Sequence, residues 1–531
     1  MIPVRMRSPE GLWSLAIAIG VGTIVVAGVL LFATFWGDPV IYLPYARSNA
    51  AGDFFAYNPG VFSSGATSPL WSLILAIPYL FGADVIGAKV VGLLATLGSF
   101  IVLAAMAARF NGRNGGSGVA LLYAVEMMTI FGLMMYESPL AVAAVALSLV
   151  AGDRLLTRWR TDGRITLAAI APLAAVWALM PLSRPDATLL VPLQIAALWI
   201  AGPQRSARTL ATLVGAAAVA AIPAALYFGY SYTTLGTISV SSKCRAFALK
   251  ESADRIGPIL LSRKALGYLG SILYAIALGG LGLDLLRRDR RTTWIGLYGG
   301  AAMLMYPVLL VFVQPVTNDL PRYFLPIAPF IVLGAGRALA EAERRLRAEE
   351  HPARAWIISA AIVVLLFVVR PPLAVLGEAV EQSRRGYRFD EIVEREVVER
   401  VNAIALPGQT VLAYEVQGRY WLRPDVSLLS LDGITDGLVA PYLESADMGA
   451  FLRRHRPEYW IANDAGDYRP YLRRSILQRA IEAFERDRGA TSFAIEGITF
   501  ELLARRERPM PRGFAGWTML VRLGYDEAPR R

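Results

Sequence analysis

Residues 37–71 read GDPVIYLPYARSNAAGDFFAYNPGVFSSGATSPLW and follow directly on a long apolar segment, Leu12 to Trp36. A loop that leaves a first membrane helix is ordinarily short and plain, whereas this one is long and carries little charge. It is rich in aromatic and hydroxyl side chains, a composition that suits the binding of a sugar. The apolar segment before it is too long for the core of a signal peptide, so we expect it to remain as a membrane helix.

The composition of the whole chain predicts a polytopic membrane protein. Of its 531 residues, 55% are hydrophobic and 18% are charged, whereas about a quarter of the residues of a soluble domain are charged. Apolar runs of about 17–25 residues, the length that crosses a bilayer, recur along the first two-thirds of the chain. We place eleven spans at residues 12–36, 84–108, 117–135, 138–152, 165–181, 186–202, 209–229, 266–286, 293–313, 322–340 and 355–373.

The positions of Lys and Arg predict the orientation of these spans. With a cytoplasmic N-terminus, the inside loops carry clustered arginines and most outside loops are nearly free of basic residues, as the positive-inside rule requires. The same rule explains the net charge of +11 without a nucleic-acid partner. We therefore expect a multi-pass membrane protein with a cytoplasmic N-terminus and its C-terminal part on the outer side. The high Ala and Arg usage is typical of a GC-rich bacterial genome, for which these are the inner (plasma) membrane and its periplasmic side.

One outside loop departs from that rule. The segment between Phe228 and Leu266 holds six basic residues, Lys243 among them. Two interpretations stay open: a surface that binds an anionic lipid head group or phosphate, and a solvated loop whose charges pair with nearby acids.

A change of composition after Arg370-Pro371-Pro372 predicts a domain boundary. We expect a transmembrane module over residues 1–373, with an outer loop over residues 37–83 that contains juxtamembrane helices, and a periplasmic α/β domain over residues 374–531. Within the outer loop the apolar stretch Pro69 to Gly82 is too short to cross a bilayer and predicts a re-entrant or interfacial helix. In the α/β domain the pattern predicts helices at Phe389–Ala405 and Leu472–Arg486, and strands at Thr410–Val416, Ser427–Leu431, Tyr459–Ala462, Phe493–Leu503 and Thr518–Leu523.

Several classes of site are disfavoured by what the chain contains. The single cysteine, Cys244, allows no intramolecular disulfide. The two histidines, His351 and His455, have no His or Cys partner at ligand spacing, which argues against a zinc site of the usual kind. No Gly-x-x-x-x-Gly-Lys-Ser/Thr loop is present, so nothing in the sequence indicates nucleotide hydrolysis.

Polar residues at the ends of spans point to the chemistry. With the expected topology these residues all fall on the outer side: Asp38, Glu137, Arg184, Asp186, Asn318, Asp319, Arg322 and Tyr323. Ionisable residues at membrane ends are costly unless they snorkel, pair or function, so their convergence predicts one extracytoplasmic pocket. Such a pocket suits group transfer from a lipid-linked phosphate, in which a carboxylate takes the proton of an acceptor hydroxyl and Arg or Lys stabilises the departing phosphate.

Each of these residues also has a purely structural interpretation. Asp38 could end a helix in a turn before Pro39, and Glu137 could cap the helix that follows it. Arg184 and Asp186 could merely pair across a turn. Arg322 and the aromatic residues of the outer loop could be interfacial anchors, as in many membrane proteins.

The outer loop resembles the first outer loop of the GT-C glycosyltransferases, in particular the relatives of the mycobacterial terminal arabinofuranosyltransferase. The residues that fit the family's pattern are Asp38, Tyr45, Arg47, Asn58, Pro59, Gly60, Gly65, Thr67, Ser68, Pro69, Leu70 and Trp71. Further matches, in order along the chain, are Glu137, Arg184-Pro185-Asp186, Lys243, Arg322-Tyr323 with Leu325-Pro326, and Asp432 within Leu431–Asp436.

This resemblance implies a polytopic α-helical membrane protein of GT-C type, with about eleven transmembrane helices and a C-terminal α/β periplasmic domain. It implies an inverting transferase that moves a monosaccharide, arabinofuranose in the best-known relatives, from a polyprenyl-phosphate donor to a glycan or glycolipid acceptor. We assign catalytic roles to Asp38, as general base, and to Glu137. The expected donor-phosphate ligands are Arg184, Lys243 and Arg322. The expected substrate-binding residues are Tyr42, Tyr45, Arg47, Asn58, Thr67, Ser68, Trp71, Asp186, Tyr323 and Asp432.

One departure from the family concerns the base. Many relatives have two adjacent acids where this chain has Gly37-Asp38. If the missing acid is the base, Asp38 is a helper and Glu137 or Asp186 takes the proton. A divalent cation held by Asp38, Glu137 and Asp186 is a further alternative, because hard cations take oxygen ligands; no other cofactor is expected.

Two other functions remain open. A transporter or flippase of a lipid-linked sugar would also have many spans, but it predicts ionisable residues near mid-bilayer and inverted repeats of broken helices. A non-catalytic protein of envelope assembly would tolerate substitution of any single acid. The resemblance disfavours both.

Overall fold

A computed structural model of the protein describes residues 9–35, 39–238, 263–286, 290–313, 320–348, 370–381, 383, 387–388, 393–413, 419–431, 435, 437–443, 447–463, 475–509 and 515–526. Its helices are α1 (Pro9–Leu30), α2 (Pro39–Ala50), α3 (Pro69–Leu80), α4 (Asp84–Asn111), α5 (Gly115–Leu133), α6 (Ser138–Asp162), α7 (Leu167–Ser183), α8 (Leu190–Ala201), α9 (Ala207–Leu235), α10 (Arg263–Leu286), α11 (Arg290–Val313), α12 (Leu320–Tyr323), α13 (Ala328–Ala348), α14 (Val393–Ile404), α15 (Ala440–Leu443), α16 (Met448–His455) and α17 (Ile476–Arg486). Short 3-10 helices lie at Pro185–Leu189 and Leu325–Ile327.

The first two-thirds of the described chain is a bundle of apolar helices. Six of them are long and apolar enough to cross a membrane: Glu10–Leu30, Asp84–Asn111, Gly115–Leu133, Ser138–Asp162, Ala207–Leu235 and Leu325–Arg345. Shorter apolar helices lie at Pro69–Leu80, Leu167–Ser183, Pro185–Ala201 and Ile272–Leu286. The polytopic helical class is thereby confirmed, and the number of eleven spans stays a prediction.

The outer loop contains two helices, of which the sequence indicated one. Ser68 begins α3: its hydroxyl oxygen accepts the backbone N–H of Trp71, and Pro69 occupies the first turn, where its missing N–H costs nothing. The predicted helix from Pro69 is thereby confirmed. The position of helix α2 was not predicted, because Pro44 lies inside it and proline ordinarily breaks a helix interior.

The C-terminal part folds around a six-stranded mixed sheet. Its strands, with two short two-stranded pairs elsewhere, are β1 (Thr34–Phe35), β2 (Ala56–Asn58), β3 (Val61–Phe62), β4 (Tyr387–Arg388), β5 (Thr410–Ala413), β6 (Ser427–Ser430), β7 (Tyr459–Asn463), β8 (Ser492–Ile495), β9 (Ile498–Pro509) and β10 (Ala515–Tyr525). The order in the large sheet is β6-β5-β7-β10-β9-β8. Strands β6, β5 and β7 are parallel, and the remaining pairs are antiparallel.

One predicted strand is wrong. The stretch Phe493–Leu503 is not a single strand but a hairpin, because β8 and β9 are joined by Glu496 and Gly497. Both joining residues have positive φ, 52° and 75°, as a two-residue turn of type I′ requires. Gly497 was the signal in the sequence that a turn interrupts this stretch. The predicted helices over residues 389–405 and 472–486 are present as α14 and α17, with later starts among the described residues.

The sheet packs on both faces, and one face meets the outer loop. Val411 and Leu412 are successive residues of β5 and point to opposite sides, as strand geometry requires. Leu412 lies in the apolar core formed with α16 and α17. Val411 lies in a second core, shared with α14 and with residues of α2 and α3 such as Tyr45 and Trp71. The outer loop is therefore held between the helical bundle and the sheet.

Helices α10 and α13 cross at two glycines, which gives a first testable prediction. A Cβ on Gly280 would lie 1.9 Å from the carbonyl oxygen of Gly334, and backbone cannot yield as a side chain can. We expect Gly280→Ala to lower stability by about 1–3 kcal/mol, measured as thermal unfolding of the detergent-solubilised protein. Gly279→Ala is the matched control, since a Cβ there meets nothing within 4 Å. Equal unfolding temperatures for the two variants would contradict the close crossing.

Candidate functional site

The structure brings seven of the predicted site residues into one connected group, here called the polar cluster. Its members are Tyr42, Thr67, Glu137, Arg184, Asp186, Arg322 and Tyr323. They come from helix α2, from the segment before α3, and from the junctions α5–α6, α7–α8 and α12–α13. Chain segments far apart in sequence therefore meet at one end of the bundle, as the sequence predicts.

Glu137 has both carboxylate oxygens bonded within the cluster. Oε1 accepts a hydrogen bond from Nη1 of Arg184 at 2.8 Å, and Oε2 accepts one from the Tyr42 hydroxyl at 3.2 Å. The residue is 6% exposed. Although it precedes α6, its side chain makes no capping bond to that helix. The carboxylate is therefore used for the cluster and not for the helix end.

Arg184 joins the two acids of the cluster. Its Nε and Nη2 donate to the two oxygens of Asp186 at 2.9 and 2.8 Å, a bidentate pair, while Nη1 donates to Glu137. Pro185 explains the backbone conformation of Arg184, because steric clashes drive the residue before a proline to extended geometry. Arg184 accordingly has φ −156° and ψ 123° and ends α7. The pairing across Pro185 is real, and the same guanidinium also reaches Glu137.

Arg322 lies among aromatic rings. Its guanidinium carbon is 5.0 Å from the ring centroid of Tyr136 and 4.9 Å from that of Tyr323, and Nη2 donates to the Tyr323 hydroxyl at 2.8 Å. Arg184 also lies beside Tyr323, with its guanidinium carbon 5.0 Å from the centroid of that ring. Two cations thus share one aromatic ring. The cation–π attraction is stronger here than at an exposed site, because the group is desolvated.

Tyr42 connects the outer loop to this network. Its hydroxyl lies 2.9 Å from the Thr67 hydroxyl, besides donating to Glu137. At 4% exposure the ring is inside the protein, so it is not a lipid-facing belt residue. Both side chains place hydroxyl groups next to a carboxylate, which is chemistry suited to recognising sugar hydroxyls.

Three other predicted loop residues make contacts within the protein. The Tyr45 hydroxyl lies 2.7 Å from that of Ser63, and burial raises the pKa of Tyr45. Ser68 caps α3 and donates to the Leu182 carbonyl oxygen at 3.1 Å. Trp71 donates from Nε1 to the carbonyl oxygen of Met135 at 2.7 Å. A substrate-binding role for Tyr45, Ser68 and Trp71 stays a prediction, and these contacts give each of them a structural role.

Arg47 and Asn58 attach the loop to the C-terminal part. Asn58 donates to the Leu428 carbonyl oxygen and accepts the Leu428 N–H, both at 2.9 Å, so its amide replaces a neighbouring strand at the edge strand β6. Arg47 donates to the carbonyl oxygen of Tyr420 at 3.1 Å and lies 5.3 Å from its ring centroid. In return Arg419 donates to the Tyr57 carbonyl oxygen at 3.1 Å, and burial lowers the pKa of Arg419 to about 10. Substrate contacts of Arg47 and Asn58 stay a prediction.

Three predicted site residues, Asp38, Lys243 and Asp432, lie outside the described residues, so their assigned roles stay predictions. Asp38 follows β1 closely in sequence and directly precedes α2. Among the described residues no group of three His, Cys, Asp or Glu side chains could hold a metal ion. The alternative of a divalent cation depends on Asp38 and is likewise untested.

Two tyrosines that contact the polar cluster were not anticipated. The Tyr306 hydroxyl, in α11, donates to Oδ2 of Asp186 at 2.8 Å, and Tyr136 provides the ring beside Arg322. Both tyrosines lie in or next to apolar runs, where a tyrosine looks like any interfacial aromatic residue. The neighbouring Glu137 was the one signal that could have drawn attention to Tyr136.

Within the described part of the cluster the charges balance. Two carboxylates, Glu137 and Asp186, face two guanidinium groups, Arg184 and Arg322. Glu137, Arg184 and Arg322 are buried, and the side chain of Asp186 is 7% exposed. Buried ions are tolerated only with good geometry and further hydrogen bonds, and the tyrosine hydroxyls supply those bonds. Paired charges and hydroxyl groups of this kind are chemically suited to a group that carries its own charge, such as a phosphate, or that develops charge during reaction.

No protein-family model matches the sequence, and no curated protein matches it. Among solved structures, ArnT from Cupriavidus metallidurans bound to undecaprenyl phosphate aligns with a TM-score of 0.58 at 14% identity, over 97% of this chain and 98% of ArnT. ArnT in the apo state aligns with a TM-score of 0.56 at 14% identity, over 95% and 97% of the two chains. Arabinosyltransferase EmbB from Mycobacterium smegmatis aligns at 14% identity over 97% of this chain and 46% of EmbB, with a TM-score of 0.39, a value too low to support an argument.

The likeness to ArnT covers nearly the whole of both chains. The chain therefore has the fold of ArnT, with a part made of apolar helices and a C-terminal sheet region. The expectation drawn from the outer loop is confirmed at the level of the fold. At 14% identity the likeness says nothing about individual residues.

Proposed function

We propose that this protein is a membrane glycosyltransferase that moves a monosaccharide from a polyprenyl-phosphate donor to a glycan or glycolipid of the cell envelope. The polar cluster carries the proposal: buried acids, arginines and tyrosines converge where several apolar helices end. The fold supports it, since a solved structure with this fold has undecaprenyl phosphate bound. The predicted orientation puts the site on the periplasmic face of the inner membrane.

The reaction is an inverting displacement. The oxygen of an acceptor hydroxyl attacks the anomeric carbon, and the bond between that carbon and the phosphate oxygen breaks. The electron pair of that bond leaves with the polyprenyl phosphate, and the hydroxyl proton passes to a carboxylate. No nucleotide is needed, because the phosphate linkage of the donor already activates the sugar.

Asp38 remains the proposed base. Both oxygens of Glu137 accept hydrogen bonds from Arg184 and Tyr42. Its proposed role is to stabilise positive charge on the sugar and to orient its neighbours. Asp186 is occupied by Arg184 and Tyr306 in the same way. Both described acids are therefore engaged in an ion pair with Arg184, which favours Asp38 as the base.

Arg322 is the proposed ligand of the donor phosphate within the described cluster. Arg184 already spreads three of its nitrogens over two carboxylates, which favours a supporting role for it. Lys243 remains a proposed second cation. The sugar is a monosaccharide, and arabinofuranose is the one that the family resemblance implies.

A donor panel tests the proposal. The purified, detergent-solubilised protein is given synthetic polyprenyl-phosphate sugars and a simple glycan acceptor, beside the variant Asp38→Asn. We expect transfer from one donor and its loss in the variant. Binding of a donor without any transfer would favour a transporter or flippase. If the protein neither binds nor transfers any donor, the proposal is refuted. Full activity of Asp38→Asn would remove Asp38 as the base.

A further inference from the structure

The turn that carries Tyr136 and Glu137 is an unusual helix end. Helix α5 closes with two backbone bonds: the N–H of Met135 to the Gly132 carbonyl oxygen and the N–H of Tyr136 to the Phe131 carbonyl oxygen, both 3.0 Å. This is the pattern of a Schellman motif, whose penultimate residue adopts a left-handed conformation and is usually glycine. Here that residue is Met135, with φ 67°.

A methionine in this conformation costs free energy that a glycine would not cost. Residues held in such conformations persist only when the surrounding structure constrains them, and they gather at functional sites. Met135 is 1% exposed, and its side chain packs in the same apolar core as Trp71. The strain and its position beside Glu137 together call for a constraint from outside the turn.

Trp71 supplies that constraint. Its indole is 1% exposed, and its Nε1–H donates to the carbonyl oxygen of Met135 at 2.7 Å. The capped first turn of α3 places the residue, since the Ser68 hydroxyl accepts the Trp71 N–H at 3.2 Å. The bond fixes the peptide that leads from the strained residue into Tyr136, so any rotation of the turn would break it.

We propose that Trp71 is a positioning residue that acts through Met135. By holding the turn, it places the Tyr136 ring beside Arg322 and the Glu137 carboxylate against Arg184 and Tyr42. The outer loop thus sets the geometry of the polar cluster without Trp71 touching the substrate. The kinetic part of this inference rests on the proposed glycosyl transfer, whereas its structural part does not.

Hydrogen–deuterium exchange tests the structural part on the full chain in detergent. We expect Trp71→Phe to raise exchange at the amides of Met135 and Tyr136 about tenfold, because a buried carbonyl loses its partner. The matched control is Trp177→Phe, which removes a similar bond, from Nε1 to Gln194 at 2.8 Å between α7 and α8. Unchanged exchange at the turn in Trp71→Phe, or an equal rise in the control, would overturn the inference.

The second variant is Met135→Gly, made alone and together with Trp71→Phe. Glycine adopts the left-handed conformation freely, so we expect the double variant to recover most of the protection that Trp71→Phe loses. In transfer assays we expect Trp71→Phe to lower kcat about tenfold with little change in KM, because misplacement affects the reacting geometry more than binding. If the effects of Trp71→Phe and Met135→Gly on amide exchange simply add in the double variant, the inference is overturned. Absence of transfer by the wild-type protein would refute the proposed function. The exchange experiment would then decide alone whether Trp71 positions the turn.

Discussion

Glu137→Gln is expected to lower kcat for sugar transfer by about 10²–10³-fold, with KM changed far less. The substitution keeps the shape of the side chain and a hydrogen-bond acceptor for Arg184, but it removes the negative charge. A preorganised charge that stabilises the transition state is worth this much when lost. The measurement is steady-state transfer from the donor identified in the panel, at equal amounts of folded protein.

Asp153→Asn is the matched control for that substitution. Asp153 is another buried carboxylate paired with an arginine, at 2.5 Å from Arg109. It lies sixteen residues beyond Glu137 on the same helix, about 24 Å along its axis. We expect some loss of stability and an unchanged kcat. If both variants lose kcat alike, Glu137 has no special part in transfer.

Arg184→Met is expected to cost about 3–5 kcal/mol of stability and to reduce the yield of folded protein sharply. Removing one member of a buried ionic network leaves the others as uncompensated charges, and here two carboxylates are left. Arg109→Met is the comparison, because the Arg109 side chain is 33% exposed and pairs with one acid. Thermal unfolding in detergent and yield from membranes measure both variants.

A combined variant separates charge from packing. Adding Glu137→Gln and Asp186→Asn to Arg184→Met removes the two carboxylates left without Arg184 but leaves the buried Arg322 without an acid. Stability is therefore expected to recover only in part, and the three changes together abolish transfer. Such a recovery means that the effects of the three substitutions on stability are not additive, as expected for residues of one network. If the combined variant is less stable than Arg184→Met alone, the two acids do not depend on Arg184 for compensation.

The sequence was sufficient for the bundle and for much of the polar cluster. Charges at the ends of apolar runs are costly wherever they occur, so Glu137, Arg184 and Arg322 could be recognised one at a time. Their mutual contacts could not, because these depend on how the helix ends pack. Tyr306 and Tyr136 carry no charge and lie in or beside apolar runs, and nothing local distinguishes them from aromatic residues that face lipid.

Other features depended on context that a residue-by-residue interpretation does not contain. The proline of α2 argues against a helix, yet contacts with α3 and the sheet core outweigh its cost. The role of Trp71 depends on the conformation of Met135, a residue that prefers a right-handed backbone. The hairpin between β8 and β9 had one sequence signal, Gly497, because the Glu at position 496 is not a residue that type I′ turns favour.

The reciprocal bonds between Asn58 and Leu428 have a consequence for how the protein is made. The two residues are 370 positions apart in the chain, and ribosomes add about 5–20 residues per second. Leu428 is therefore synthesised roughly 20–70 s after Asn58, and the hydrogen bonds between them cannot form earlier. During that interval the nascent bundle presents an unfinished outer surface, and the last quarter of the polypeptide acts as the lid that completes it.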